Sequence, residues 1–435
     1  MPGQPLPPRI DRQAVVLIHG IGEQRPMDTL REFAQSVVPA IPNSSTPLFY
    51  SKPDQLSDNF ELRRLTTNEQ QASFKTDYYE FYWANLMEGT KVADVWSWIR
   101  SLFIRRPGRI PKRLRWLYYA FWGTLAALFA LVGLTLSWVV AAWNGLADTG
   151  WVRIVAGFVA SGLLAYVNNL LTEYLGDAVR YMTPRPPNIN QRQKIRQAGM
   201  QLLRRLHETD ATGTNRYDRI VVVGHSLGSV IAYDLLNLFW CERSGKLPLL
   251  PVDALNTAEQ KAIDLSEKRI SQEQYRQAQF DLWAAQATLP GSWRISDLIT
   301  VGSPLAFADL YLADGVWSLK NKADQREFPT CPPVMEKNKD GDAFFSFPTK
   351  RTDAPRTLHH AALFALTRWT NLYFSSDFIG GPIEGFGPGV ENHSLKPQST
   401  KLPFNSHVTY WKISEPESLS LLRKRLELRF PKKHE

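Results

Sequence analysis

A short apolar strand pattern that ends in a glycine-bounded serine constrains the fold of this chain more than any other feature. Residues 220–223 read Ile-Val-Val-Val and run directly into Gly-His-Ser-Leu-Gly at 224–228, after which apolar residues recur at helical spacing. Such a strand is typical of a parallel sheet that is covered on both faces. The turn into the helix is so tight that glycines must flank the serine, and it lifts the hydroxyl above the edge of the sheet. We therefore predict an α/β fold with a nucleophile at Ser226.

A second strand-and-glycine pattern lies near the amino end. Residues 14–18 read Ala-Val-Val-Leu-Ile, a buried-strand pattern, and His-Gly-Ile-Gly follows at 19–22. Backbone N–H groups at such a turn and at a helix N-terminus stabilise the oxyanion that forms during acyl transfer. We expect an oxyanion hole made of the amide of Leu227, directly after the serine, and the amide of Ile21.

The two motifs, both on strands and in this order, resemble those of the α/β-hydrolase superfamily, in particular its lipase-like serine esterases. The resemblance covers residues 12–90 and 175–412. It implies the α/β-hydrolase fold, a mostly parallel central sheet flanked by helices, with a catalytic triad in the chain order serine, acid, histidine. The motif residues expected to shape the substrate pocket are His19, Gly20, Gly22, Gly224, His225 and Gly228.

The resemblance also implies positions for the acid and the base. Residues 297–301 and 369–373 are further strand patterns, and Asp377 follows the second of them, in the loop where the family keeps its acid. His407 has the position of the family's histidine, in a loop near the C-terminus. The alternative acid is Asp309, and the alternative histidines are His393, His359 and His360.

These residues suffice for acyl transfer. Neutral His407 takes the proton of Ser226 as the serine attacks a carbonyl, and it later protonates the leaving group and activates water, while Asp377 orients the imidazole. The reaction needs no metal ion and no organic cofactor. The two cysteines lie far apart and form no metal motif or disulfide framework. Ser303, in the Gly-Ser-Pro turn after residues 297–301, is interpreted as a structural serine.

Two uncharged runs predict a membrane hairpin. Residues 116–147 contain no charged side chain, and neither do residues 154–172. A run of about 20 apolar residues is enough to cross the hydrocarbon core of a bilayer. Tryptophans at the ends of these runs are typical of the headgroup region. The alternatives are a helical pair buried in a large domain and a hairpin that dips into one leaflet.

The positive charge of the chain is concentrated beside these runs. The formal net charge is +9, and an acid-free basic block at 105–115 precedes the first run. A second basic cluster lies at 423–433. By the positive-inside rule, basic residues on both flanks place the catalytic part on the cytoplasmic side of an inner membrane. The clusters thus have a membrane explanation and no nucleic-acid motif accompanies them, so we expect a lipid bilayer and not a nucleic acid as partner.

These patterns divide the chain into two parts of one hydrolase domain, 1–103 and 176–435, around an insertion. The insertion, 104–175, comprises the basic linker and the hairpin, with helices at about 116–143 and 152–172. A polar helical pattern at 246–293 is either a cap-like lid or a helical elaboration on the flank of the sheet. The Gly- and Pro-rich segment 380–401 is expected to be a long loop beside the active site.

The leading functional hypothesis is a membrane-anchored serine hydrolase that cleaves carboxylic esters, with acyl esters of lipids as the expected substrates. The same sequence patterns would be found in a membrane-held esterase or thioesterase for lipidated proteins or soluble substrates. The alternative from another class is a non-catalytic membrane scaffold on the same fold. An intact serine, acid, histidine and glycine set favours the enzyme.

Overall fold

The computed structural model describes residues 10–20, 25–38, 47–68, 75–87, 181–182, 186–287, 289–312, 318–349, 355–377, 379–399 and 406–427, with scattered positions between 115 and 162. The chain divides into two compact units. The first comprises Met1–Leu86 together with Arg192–Glu435, and the second comprises Met87–Gln191. Two separated pieces of the chain therefore build the first unit.

An eight-stranded sheet forms the centre of the first unit. Its strands are β1 (Arg12–Ile18), β2 (Phe49–Pro53), β3 (Arg63–Thr67), β4 (Lys75–Phe81), β5 (Arg219–His225), β6 (Ile295–Val301), β11 (Arg368–Phe374) and β12 (Glu391–Leu395). They lie in the order β12-β11-β6-β5-β1-β4-β3-β2. Neighbouring strands pair in parallel from β12 to β4, and β3 pairs antiparallel with β4 and β2. Short two-stranded pairs join β7 (Glu336–Lys337) with β8 (Ala343–Phe344), and β9 (Ser346–Phe347) with β10 (Thr357–Leu358).

Helices cover both faces of this sheet, which confirms the predicted α/β class with a mostly parallel sheet. The helices of the described residues are α1 (Asp28–Val37), α2 (Pro186–Leu206), α3 (Leu227–Arg243), α4 (Val252–Ser266), α5 (Gln272–Ala287), α6 (Ala308–Tyr311), α7 (Leu319–Asp324) and α8 (Pro416–Arg425). On one face, α1 and α8 bury apolar side chains against Val15, Leu17 and Val221. On the other, Leu235 of α3 packs beside Val16 and Val222. Because side chains alternate along a strand, the apolar runs of β1 and β5 supply both layers of the core.

The register aligns the strand ends that matter for function. Ile18 of β1 pairs with Gly224 of β5, and His225 pairs with Val301 of β6. Val301 in turn pairs with Leu372 of β11. The carboxyl ends of β1, β5, β6 and β11 therefore meet at one edge of the sheet, where open α/β sheets bind ligands.

The helical insertion at 246–293 forms α4 and α5. In α5, the side-chain amide of Gln279 donates to the carbonyl of Phe364 over 2.6 Å, and Arg276 donates to the carbonyl of Trp369 over 3.1 Å. Trp369 is the second residue of β11. These contacts hold α5 near the amino end of β11, whereas Ser226 lies at the carboxyl end of β5.

The expectation of a long loop at 380–401 is wrong for part of the segment, because β12 lies within it. The sequence of this strand, Glu-Asn-His-Ser-Leu, lacks the β-branched and aromatic residues that favour strands. Pairing with the neighbouring strand β11 stabilises it instead. Thr370–Phe374 pairs with it in parallel, and the side chains of Asn371 and Asn392 form a 2.8 Å hydrogen bond.

The C-terminal basic cluster has partners inside the protein. Arg423 of α8 donates to the carbonyls of Ser36 and Val37, which are among the last carbonyls of α1. Arg425 pairs with Glu391. A cation at the C-terminus of a helix compensates the negative end of its dipole. The prediction that this cluster faces a membrane therefore does not hold for Arg423 and Arg425, because their guanidinium groups bind partners within the fold.

The predicted hairpin lies mainly outside the described residues. The described positions between 115 and 137 are helical, and among them Trp122 is 39% exposed and Phe129 is 69% exposed. Within the described part of the chain, no helix is both long and apolar enough to cross a membrane.

Candidate active site

Ser226 occupies a strained turn between a strand and a helix. It is the single residue between β5 and α3, with φ 52° and ψ −129°. A positive φ is costly for a residue with a side chain, and such strain persists only where the surroundings enforce it. A Cβ on Gly224 would lie 2.5 Å from the Cα of Ser229, and a Cβ on Gly228 would overlap the carbonyl oxygens of Ile18 and His19. Close backbone approach thus explains both glycines of the motif.

Hydrogen bonds hold this turn to the neighbouring strand. The N–H of Ser226 donates to the carbonyl of Val301, at the end of β6, over 2.9 Å. The hydroxyl of Ser229 lies 2.5 Å from the carbonyl oxygen of Ser226 and 2.6 Å from the hydroxyl of Ser303. Ser303 is fully buried, and its hydroxyl also accepts from the N–H of Leu305. The contacts of Ser303 are those of a residue that supports the turn.

Asp377 and His407 form a buried pair. Asp377 follows the end of β11 by three residues, and its Oδ2 lies 2.8 Å from Nδ1 of His407. The same carboxylate accepts the hydroxyl of Tyr410 over 2.7 Å and the N–H of Ile379 over 2.9 Å. Asp377 is 3% exposed and His407 is 7% exposed. Three hydrogen bonds, from His407, Tyr410 and Ile379, therefore hold the buried carboxylate in place.

The charge state of Asp377 follows from these contacts. Burial raises the pKa of Asp377, but the positive charge that His407 can carry and the hydrogen bonds from His407, Tyr410 and Ile379 outweigh it. The net result is a pKa below the ordinary value. An ionised carboxylate only accepts hydrogen bonds, so Nδ1 of His407 carries the ring proton. The lone pair is then on Nε2, the nitrogen that acts as the base in a serine triad.

His225, which precedes Ser226 in the chain, contacts His407. The ring centroids of His225 and His407 are 4.9 Å apart, and Nε2 of His225 lies 2.8 Å from the backbone carbonyl oxygen of His407. The structure, which describes both residues, contains no hydrogen bond between the hydroxyl of Ser226 and the ring of His407. Catalytic hydrogen bonds often tighten only when substrate binds. Ser226, His225 and His407 thus lie in one site, and the hydroxyl of Ser226 is not hydrogen-bonded to the ring of His407.

The expected oxyanion hole is described in part. Leu227 is the first residue of α3, and the N–H groups of a first helical turn have no partner within the helix. Ile21 and Gly22 lie outside the described residues. Gly20 immediately precedes them, and a Cβ on Gly20 would lie only 2.8 Å from Cβ of Ser226. The His-Gly motif therefore approaches the serine closely at its last described residue.

His19 has a supporting position. Its ring is fully buried and stacks on Trp83 with centroids 5.2 Å apart, and the indole N–H of Trp83 donates to the His19 carbonyl. Burial lowers the pKa of His19 to about 4, against a smaller opposite effect of its hydrogen bond to Gly20. His19 is thus a neutral residue that fixes the start of the turn.

The alternative residues have other partners. Ring nitrogens of His359 bond the carbonyl of Val334 and the N–H of Ala361. His393 lies on β12 beside Glu391, with Nε2 3.1 Å from the carboxylate. Asp309 is exposed and accepts from the N–H of Leu319. The exposed His360 has its ring beside that of His359.

Sequence reasoning missed Tyr410. Its hydroxyl donates to Asp377 and accepts from the N–H of Phe374, and its ring stacks on Phe374 at 4.2 Å. It therefore ties the histidine-bearing loop to Asp377 and to the end of β11. The available signal was a phenol three residues after the predicted histidine, which by itself is equally typical of core packing.

Comparisons of this chain with protein-family models, with curated proteins and with solved structures found no match.

Proposed function

We propose that this protein is a serine hydrolase that cleaves carboxylic esters through Ser226, His407 and Asp377. The observation that carries the proposal is the buried pair of Asp377 and His407, 2.8 Å apart, beside a serine held at positive φ on a strand–helix turn. A buried carboxylate that orients an imidazole beside a serine is the arrangement that activates a weak hydroxyl nucleophile. The order of the three residues and the parallel sheet also suit the α/β-hydrolase fold, which we propose for the first unit.

In the proposed reaction, Nε2 of His407 takes the proton of the Ser226 hydroxyl as its oxygen bonds to the carbonyl carbon. The N–H of Leu227 and a second amide after Gly20 stabilise the oxyanion. The intermediate then expels the alcohol, which takes the proton from His407. Water, deprotonated by the same nitrogen, cleaves the acyl-enzyme and restores the serine. Asp377 remains ionised throughout and stabilises the imidazolium.

The membrane anchor is the second part of the proposal. It is supported by the uncharged runs at 116–147 and 154–172 and by the exposure of Trp122 and Phe129 at helical positions of the first run. Exposed aromatic side chains in an uncharged helix suit a lipid environment. An anchor keeps the site close to the bilayer by chain connectivity, so we propose an acyl ester of a lipid as the substrate class.

The decisive experiment is labelling with a fluorophosphonate, which reacts with activated serines. The detergent-solubilised wild type, Ser226→Ala and Ser394→Ala are compared, and the modified peptide is located by mass spectrometry. Ser394 is an exposed serine of β12 and serves as the matched control. We expect one adduct at Ser226 in the wild type and in Ser394→Ala, and none in Ser226→Ala.

The absence of an adduct on folded, membrane-reconstituted wild type would overturn the proposed hydrolase activity and favour the non-catalytic membrane scaffold. An adduct on another serine would move the nucleophile away from Ser226.

The substrate class needs a separate test. Turnover is measured on phospholipid and acylglycerol in vesicles and on short soluble esters, with Ser226→Ala as the blank. We expect hydrolysis of the vesicle lipids. Fast cleavage of soluble esters with no cleavage of dispersed lipids would overturn the lipid assignment and leave the esterase.

The side of the membrane is testable with a natural reporter. Cys241 is exposed and Cys331 is buried. We expect a membrane-impermeant maleimide to label Cys241 in inverted vesicles and not in intact cells, with Cys241→Ser as the unlabelled control. Labelling in intact cells would contradict the cytoplasmic placement.

A further inference from the structure

His225, the residue before the nucleophile, makes a contact that the reaction scheme does not use. It is the last residue of β5 and is 5% exposed. Its Nε2 lies 2.8 Å from the backbone carbonyl oxygen of His407. The two residues are 182 positions apart in the chain. The contact therefore joins the strand that ends at Ser226 to the loop that bears the base.

The partner of Nε2 fixes the tautomer of the His225 ring. A carbonyl oxygen can only accept a hydrogen bond, so Nε2 must carry the proton. Nδ1 is then an unprotonated acceptor. Among the described residues it is buried without a hydrogen-bond partner, and a Cβ on Gly20 would lie 3.2 Å from it. A second proton at Nδ1 would have no acceptor among these residues, so this environment favours the neutral ring.

Ring packing fixes the orientation of His225. Its centroid lies 4.9 Å from that of His407, at an interplanar angle of 31°, and 4.9 Å from that of Trp411, at 76°. The ring of Tyr410 lies 6.1 Å away. Three aromatic neighbours from the same loop thus surround one imidazole, which restricts its rotation and directs Nε2 at the His407 carbonyl.

We propose that His225 is a positioning residue that sets the placement of the His407 imidazole relative to the Ser226 hydroxyl. One end of the link is covalent, because His225 and Ser226 are consecutive. The other end is the hydrogen bond to the backbone of His407 itself. The inference rests on the proposed function, since positioning matters only if Ser226 and His407 exchange a proton. Small misplacements of reacting groups are costly in enzymes.

Neutrality of His225 is part of the same role. The pKa of His225 is lowered to about 3: burial and the charges on His407 and His19 lower it, whereas the hydrogen bond to His407 and the charge of Asp377 raise it. The phenol of Tyr410 also faces the ring. A neutral ring beside His407 does not repel the imidazolium that forms when Ser226 loses its proton.

Two variants separate the hydrogen bond from the packing. His225→Phe keeps a ring and removes the donor, whereas His225→Gln keeps an N–H donor and removes the ring. For His225→Phe we expect kcat on an ester that the wild type hydrolyses to fall about 10-fold, the effect of one lost hydrogen bond, with KM within about 2-fold. His225→Gln is expected to retain most of kcat. The rate of fluorophosphonate labelling at Ser226 should follow kcat in both variants.

The outcomes distinguish this inference from the proposed function. If the wild type carries no adduct at Ser226, the proposed function and the inference both fail. If the wild type reacts and His225→Phe reacts equally fast, only the inference fails. Equal losses in both variants with matched losses in the midpoint of urea unfolding would also overturn it, because packing alone would then explain the effect.

A measurement on the unaltered protein covers the case in which His225→Phe does not fold. In protein labelled with ¹⁵N-histidine, the NMR signals of His225 at neutral pH should be those of the neutral Nε2–H tautomer, assigned with His225→Gln. A neutral Nδ1–H tautomer or a protonated ring would contradict the proposal.

Discussion

The two ends of the central strands use buried charge in opposite ways. At the amino ends of β5, β6 and β11, Arg219, Asp297 and Arg368 form a closed ion network. At the carboxyl ends of the same strands, Ser226 and Asp377 follow β5 and β11, and Asp377 holds the imidazole of His407. The same sheet thus carries one charged cluster at each edge.

The amino-end cluster is a network in which each charge has opposite charges beside it. Oδ2 of Asp297 lies 2.7 Å from Arg219 and 2.8 Å from Arg368, and all three side chains are largely shielded from water. Arg276 and Glu427 extend the network. Burial raises the pKa of Asp297, but Arg368, Arg219 and Arg276 hold it well below its usual range.

The charges at the carboxyl ends of the strands have fewer opposite charges beside them. Asp377 lies beside one imidazole, that of His407, and the hydroxyl of Ser226 is not hydrogen-bonded to this imidazole. Glu80, near the end of β4, accepts the N–H of Met27 over 2.6 Å, while its second carboxylate oxygen is buried and has no partner in the described part of the chain. Removal of one partner from a buried ion network is strongly destabilising, whereas titratable groups with shifted pKa values are enriched at functional sites. The fold thus places the ion network and the proposed chemistry at opposite ends of the strands.

The largest expected effect is on turnover. Asp377→Asn removes the charge that stabilises the imidazolium, and we expect kcat to fall by about 10⁴-fold. The free energy of unfolding should change by less than for Asp297→Ala. Steady-state kinetics and urea unfolding measure the two quantities. Asp309→Asn, which alters the exposed alternative acid, is the matched control and should retain wild-type kcat.

The next effect is on stability. Asp297→Ala removes the buried carboxylate that Arg219 and Arg368 share and leaves these guanidinium groups with the more exposed Glu427. We expect the free energy of unfolding to fall by about 3–5 kcal/mol. Turnover per folded molecule should stay within about 2-fold, because the change lies at the far edge. Asp264→Ala, which breaks a surface pair with Arg269, should cost less than about 1 kcal/mol. A large loss of kcat in folded Asp297→Ala would contradict the separation of the ion network from the proposed chemistry.

The two edges should also differ in their pH dependence. Burial raises the pKa of Glu391, at the start of β12, but His393, Arg276 and Arg425 outweigh it and lower the value from 4.5 to about 2. A lowered pKa gives stability that is present above pH 4.5 and is lost as the pH falls towards about 2. Glu391→Gln should therefore flatten the acid limb of a plot of unfolding free energy against pH.

Glu80 should act in the opposite direction. Burial raises its pKa from 4.5 to about 7, so the folded state favours the protonated form and loses stability as the pH rises between these values. We expect Glu80→Gln to be more stable than the wild type at pH 8 and to lose that advantage at pH 4. Unfolding midpoints at the two pH values measure this. A stabilising effect of equal size at both would show that the charge of Glu80 is not responsible.

The smallest expected effect concerns Tyr410. Tyr410→Phe removes one donor to Asp377 and one acceptor for the N–H of Phe374 but keeps the stacked ring. We expect kcat to fall by at most about 10-fold and the free energy of unfolding by about 1 kcal/mol. Tyr373→Phe, on the neighbouring strand residue, controls for the loss of a phenol. A drop as large as that of Asp377→Asn would mean that Tyr410 contacts the reacting atoms.

Much of the strand framework was predictable from the sequence. The patterns at 14–18, 220–223, 297–301 and 369–373 became β1, β5, β6 and β11, with bounds that differ by one or two residues. Apolar β-branched runs of this length have few other stable environments. β12 was missed because its residues do not favour a strand, and only pairing with β11 makes it one.

The turn at Ser226 follows from local sequence, because steric limits on the backbone act between neighbouring residues. A serine between two close-packed glycines after a buried strand leaves few other conformations. The resemblance named Asp377 and His407, but only the tertiary structure brought their side chains to 2.8 Å across 30 residues of chain. Tyr410, the tautomer of His225 and the network around Asp297 were likewise decided by tertiary contacts. Their partners come from strands and loops whose proximity depends on the register of the whole sheet, and no local pattern encodes it.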